Sequence, residues 1–124
     1  MLKTNSSKID YDSQVDCVIM EWQGIIAPNS IKVGAGQAVQ LLKDKQAQNF
    51  LNNEQDTNEL EFDKQDWVIN EWFPQIVDLG LKSYAIVVSP DYFDKIPQNQ
   101  CKNKVGKLNI QYFDSLEKAK KWLG

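Results

Sequence analysis

The sequence predicts an α/β fold, a five-stranded mixed sheet with an N-terminal antiparallel hairpin and helices packed on it. Three observations carry that expectation. Short apolar runs alternate along the chain with stretches whose apolar residues recur at helical spacing. The run Ala85-Ile86-Val87-Val88 is β-branched from Ile86 on and is stopped by Pro90, as in a buried strand. The order strand, strand, helix, strand, helix, strand, short helix, strand, helix lets right-handed crossovers lay helices over one sheet.

The chain has 124 residues, 42% of them hydrophobic and 25% charged, which suits a single domain. Folding at this length removes roughly two thirds of the extended chain's surface from water, enough for a core without disulfides or metals. Residues 1–8 are polar and aperiodic and read as a leader; residues 9–124 form the domain.

Ile9-Asp10-Tyr11, a turn at Asp12-Ser13-Gln14, and Val15 to Trp22 read as the hairpin. Cys17, Val18, Ile19 and Met20 put apolar side chains on both faces of its second strand, so that strand belongs inside the sheet. Asn29 or Ser30 then caps a helix whose buried stripe is Ile31, Ala35, Ala38, Val39 and Leu42. Gly34 and Gly36 inside it imply either a frayed first turn or close packing on the sheet. Gln48 to Asn52 is a short strand. A polar loop follows, and a helix begins near Asp63, is bent by Pro74 and ends at Gly80 with Leu81 as its clasp. Its stripe is Val68, Ile69, Trp72, Phe73, Ile76 and Leu79. Ser89 and Pro90 start a short helix, residues 96–106 read as loop, and Lys107 to Phe113 is the last strand. Asp114 with Glu117 three residues on opens the final helix.

Composition excludes much chemistry. All 14 basic residues are Lys; the chain has neither His nor Arg. It therefore supplies no Ser-His-Asp triad, no Cys-His pair, no His metal ligand and no arginine finger. Cys17 and Cys101 read as unpaired thiols in a reducing compartment. Cys17 is expected to pack in the core, and Cys101 has no neighbouring base to activate it. No calcium-type acidic loop occurs, so neither metal nor cofactor is expected. The net charge of −3 and the missing Arg weigh against nucleic-acid binding. Lys102, Lys104 and Lys107 form a local basic group, read as a solvated loop. No apolar run approaches the roughly 18 residues of a membrane span, and no secretory h-region precedes the first strand, so a cytoplasmic location is expected.

Trp22-Gln23-Gly24, Phe50-Leu51-Asn52-Asn53, Trp67-x-x-x-x-Trp72-Phe73-Pro74, Gly80-Leu81-Lys82, Ala85 to Val88 and Tyr112-Phe113-Asp114-Ser115 occur in an order and spacing that resemble the STAS-like group of small bacterial proteins called SpoIIAA-like. The resemblance runs from about residue 9 through nearly the whole chain. It implies a domain related to anti-sigma-factor antagonists and, more distantly, to the lipid-carrying CRAL-TRIO fold. Most such proteins have no defined biochemical role. In the antagonists a Ser or Thr in an Asp-Ser-x-Gly-type loop is phosphorylated. The corresponding loop here, Asn53 to Leu60, has Asp56-Thr57 but no following glycine, and Asn53-Glu54-Gln55 stands where closer relatives carry Asp-Asn-Arg. The resemblance makes Thr57 the candidate phospho-acceptor, against the plain reading of a threonine in a polar loop.

Trp67 and Trp72 lie about 140° apart on a regular helix, so they are expected on different faces. Trp72 joins the core stripe; Trp67 falls among Asp63, Asn70, Glu71 and Asp78. The preceding loop, a second subunit or partner, or a ligand must cover it. Trp67, Asn70 and Glu71 are thus the candidate contact for another protein or a second copy of the chain. Trp22, Trp72 and Phe73, with Ser89 and Tyr92 at the C-terminal end of a central strand, are the alternative, a pocket for a small apolar or lipid-like ligand. Core packing and helix capping account for the same residues. The reading is a non-catalytic regulatory or interaction module, with ligand carriage second.

Overall fold

A computed structural model describes residues 7–23, 28–56, 62 and 65–124. Thr57 and the predicted helix start at Asp63 lie outside the described residues. The strands are β1 (Ser7–Asp12), β2 (Cys17–Trp22), β3 (Asn49–Asn53), β4 (Ser83–Val87), β5 (Lys102–Val105) and β6 (Leu108–Phe113). They form one mixed sheet in the order β1-β2-β3-β4-β6-β5. Its centre, β2-β3-β4-β6, is parallel, and an antiparallel strand closes each edge. The helices are α1 (Pro28–Lys45), α2 (Phe73–Asp78), α3 (Pro90–Asp94) and α4 (Leu116–Leu123).

The sheet therefore has six strands where five were expected. The added one, β5, lies in the stretch read as loop. Its sequence Lys-Asn-Lys-Val lacks an apolar alternation because it is an edge, where lysines suit a strand with one open side. Gly106, at φ +61°, turns it back into β6. β1 begins at Ser7, so the last two residues of the expected leader belong to the sheet, and Ser7 is buried.

Stepping along β2, β3, β4 and β6 in one direction places the right-handed crossovers on one face. Val18, Met20, Trp22, Phe50, Tyr84, Ile86, Leu108 and Ile110 meet Ala35, Ala38, Val39 and Leu42 of α1 and Phe73 and Ile76 of α2 there. On the other face α4 sets Ala119 and Leu123 against Cys17, Leu51, Ala85, Val87 and Phe113.

Local chemistry fixes the helix ends. Asn29 and Ser30 lie inside α1, which already includes Pro28, a residue suited to a first turn because it needs no partner for an N–H. Gly34 resolves the choice left by the sequence in favour of close packing: a Cβ there would stand 3.0 Å from Ser7 Oγ and 3.1 Å from the Trp22 ring. Gly80, at φ +92°, ends α2, with its N–H on the Val77 carbonyl and that of Leu81 on the Ile76 carbonyl, the two bonds of a Schellman turn. Ser89 accepts from the Tyr92 N–H at 3.2 Å and caps α3. At α4 the cap is Ser115, one residue beyond the expected Asp114. Ser115 Oγ accepts from the Lys118 N–H, and Asp114 instead pairs with the Lys118 ammonium at 3.1 Å.

Candidate functional site

The helix expected to be merely bent by Pro74 is rebuilt as a π turn, Val68–Trp72, running into α2. Proline offers no N–H to the carbonyl four residues back, and its ring collides with that carbonyl. The widened turn moves the carbonyl row aside, and the Phe73 N–H bonds the Val68 carbonyl, an i→i+5 step.

That step changes which side chains share a side. Trp67 and Trp72, five positions apart, both reach Phe62, at ring distances of 5.8 and 5.1 Å. The expectation of separate faces assumed regular helical rotation and is corrected, whereas the expected division holds: Trp72 is buried in the core and Trp67 is only half-buried. The same widening turns Ile69 outward to 44% exposure, and Leu79 at the helix end is 36% exposed; neither belongs to the buried stripe. Val68, Trp72, Phe73 and Ile76 do.

Between α1 and the π turn lies a groove of about 440 Å³. Ala35, Gly36, Val39 and Trp72 line its apolar part, with Trp67 and Glu71 on one side and Lys32 and Lys43 on the other. Trp72 is tied to α1 by its indole N–H, which donates to the Ala35 carbonyl at 3.1 Å. Trp67 is half-buried: Phe62 meets its ring edge-on, Gln65 accepts from its indole N–H at 2.9 Å, and the Lys32 ammonium stands 5.6 Å from the ring centre. Gly36 leaves open space where a Cβ would stand. Of the three predicted contact residues, Trp67 and Glu71 line this groove; Asn70 is exposed and is not among its lining residues.

The five residues expected to form a ligand pocket are placed differently from one another. Trp72 packs edge-on against Phe50, Phe62 and Tyr84, at 5.4, 5.1 and 6.0 Å. Phe73 lies edge-on to Tyr84 at 5.1 Å, and Trp22 is fully buried beside Phe62 at 5.5 Å. Ser89 is occupied as a helix cap, and Tyr92 is half-buried against the main core.

A buried polar chain that sequence reasoning missed crosses the ends of β2 and β3. The Trp22 indole N–H donates to Asn52 Oδ1 at 2.8 Å, Asn52 Nδ2 donates to Glu54 Oε2 at 3.3 Å, and Glu54 Oε1 accepts from the Phe62 N–H at 3.2 Å. Asn52 is 0% and Glu54 3% exposed. Its visible signal is polar Asn52-Asn53-Glu54 following directly on buried Phe50-Leu51, where a central strand reaches its C-terminal end. The carboxylate holds the Phe62 N–H, and the Phe62 ring meets both Trp67 and Trp72.

Cys17 is enclosed between sheet and α4, and burial, reinforced by Asp12 and Asp16, pushes its thiol up to about 12. It is a core side chain without thiolate reactivity at neutral pH. Tyr11 donates its hydroxyl to Asp16 Oδ1 at 2.7 Å, and that bond raises the phenol's pKa. Among the described residues no group of three or more Cys, Asp or Glu could hold a metal ion, and no helix is long and apolar enough to cross a membrane. The chain matches no protein-family model and no curated protein sequence.

Proposed function

We propose that the chain is a non-catalytic regulatory or protein-interaction module of STAS-like type, which docks another protein along the groove between α1 and the π turn. The observation that carries this reading is the half-buried Trp67, held by the π turn at the rim of a groove lined by both apolar and charged side chains. An aromatic anchor beside apolar floor and charged rim is the composition of an interaction hot spot. Among the described residues Lys32 and Lys43 are in no ion pair. The partner segment that suits the groove carries an apolar side chain for the floor and a carboxylate for these ammonium groups. Ligand carriage has less support, because Trp22, Trp72 and Phe73 are taken up by contacts with other rings. A sequence without imidazole or guanidinium groups favours recognition over bond-making.

The test places a photo-crosslinking benzoylphenylalanine at position 71 in the cells that make the protein. A discrete adduct with another protein or a second copy is expected, lost on Lys32→Glu while the circular-dichroism melt is unchanged. An adduct indifferent to Lys32→Glu overturns the reading. So does the absence of an adduct together with a small molecule retained through purification in native mass spectrometry.

A further inference from the structure

The basic group that the sequence suggests is a solvated loop becomes something else once β5 pairs with β6. Lys102 stands opposite Gln111 and Lys104 opposite Asn109, so these four side chains leave one face of the sheet together. It is the face that α4 covers only in part. Trp122 of α4, half-buried with its ring 5.5 Å from that of Phe113, forms the facing wall, and Ser83 at the start of β4 closes one end. The open concavity that they line measures about 660 Å³.

From this geometry we infer that the concavity between the β5–β6 hairpin and α4 binds a small organic anion carrying a planar ring. Its lining holds two lysines and no carboxylate, in a chain whose net charge is −3. Neither lysine is in an ion pair among the described residues. Two ammonium groups two residues apart on one strand suit a phosphate or carboxylate. The Trp122 indole offers a face or edge to a ring, the Gln111 amide offers a donor and an acceptor to heteroatoms on it, and Asn109, whose Nδ2 donates to the Lys82 carbonyl at 3.5 Å, offers its amide oxygen. A volume of this size falls in the range of small-molecule sites, about 300–1,000 Å³. Lysines on an edge strand also discourage pairing with other chains. That role explains Lys102 and Lys104, and packing on Phe113 explains one side of the Trp122 ring; neither accounts for the concavity that joins them. The site lies on the opposite face of the sheet from the groove beside Trp67 and does not depend on it.

Titration of the full chain with adenosine monophosphate, followed by amide and indole NMR shifts and by calorimetry at low salt, tests the inference. Inorganic phosphate and adenosine serve as its two halves, and indole-3-carboxylate distinguishes a carboxylate-bearing ring from a phosphorylated one. Either ring-bearing anion should shift the 102–111 amides and the Trp122 indole, and bind about tenfold or more tightly than either half alone. The double variant Lys102→Gln/Lys104→Gln should weaken that binding about tenfold with an unchanged melt, since its charges are exposed and unpaired. Trp122→Phe, which keeps a ring against Phe113, should weaken it less than Trp122→Leu. The inference is overturned if neither ring-bearing anion shifts these signals, if phosphate alone binds as tightly as the nucleotide, or if the folded lysine variant binds as the parent does.

Discussion

Trp67 and Trp72 close on the same ring: both meet Phe62 edge-on, at interplanar angles of 86° and 85°. Side chains five positions apart do so only because the chain between them takes an i→i+5 turn, and that turn answers to Pro74.

Pro74→Ala restores an amide to the helix and removes the ring that holds the turn open. The turn is expected to tighten, carrying Trp67 away from Phe62. Loss of Phe62–Trp67 nuclear Overhauser contacts and a red shift of tryptophan emission would register it; unaltered contacts would show that packing, and not the proline, sets the turn.

The two glycines inside α1 should respond in opposite directions. Gly34→Ala drives a methyl against Ser7 and Trp22 and is expected to lower stability by about 1–3 kcal/mol. Gly36→Ala meets open space and gains helix propensity, raising stability by up to about 1 kcal/mol. Urea unfolding of both variants measures the contrast.

Asn52→Ala removes the acceptor of the Trp22 indole and the amide donor to Glu54. A cost of about 1–3 kcal/mol is expected for leaving buried polar groups short of partners. In a double-mutant cycle with Trp22→Phe, the penalty of Asn52→Ala should shrink, because the orphaned N–H is then gone. Additive penalties would detach the indole from the network's energetics.

Cys17 makes stability fall in alkali. Its folded thiol is held near 12 against an ordinary 9.0, so the unfolded chain loses the proton first. The thiol's contribution is intact below pH 9 and declines as pH rises toward 12, by at most about 1.4 kcal/mol per unit. Tyr11, also raised, bends the curve the same way. Cys17→Ala should flatten the slope of chemical-denaturation stability between pH 9 and 11 relative to the parent; equal slopes would contradict the assignment. At neutral pH, Cys101 should react with a thiol reagent before Cys17 does, since Cys17 is fully buried.

Much of the fold was legible because its signals are local. The Ala85 to Val88 run, the Ser89-Pro90 start of α3 and the Gly80-Leu81 stop of α2 each act within a few residues, and each appears where the sequence places it. β5 was not legible, since an edge strand buries little and its Lys-Asn-Lys pattern is that of a loop. For the candidate groove, Trp67 and Glu71 could be read as surface contacts, but their neighbours Lys32, Gly36 and Lys43 come from a helix 30 or so positions away. The shared side of the two tryptophans was misread because helical-wheel geometry presumes a constant turn, and Pro74 breaks that presumption locally.

The parallel centre of the sheet also bears on how quickly the molecule can assemble. Cys17 pairs with Asn49, and Asn49 with Ser83, so each central partnership joins distant parts of the chain, whereas β1–β2 and β5–β6 are neighbours in sequence. Hairpins close in microseconds, but every crossover must surrender the entropy of a long loop before its first contact is rewarded. The two rims can therefore zip early, and the slow step of folding falls to the docking of β3 and β4 between them.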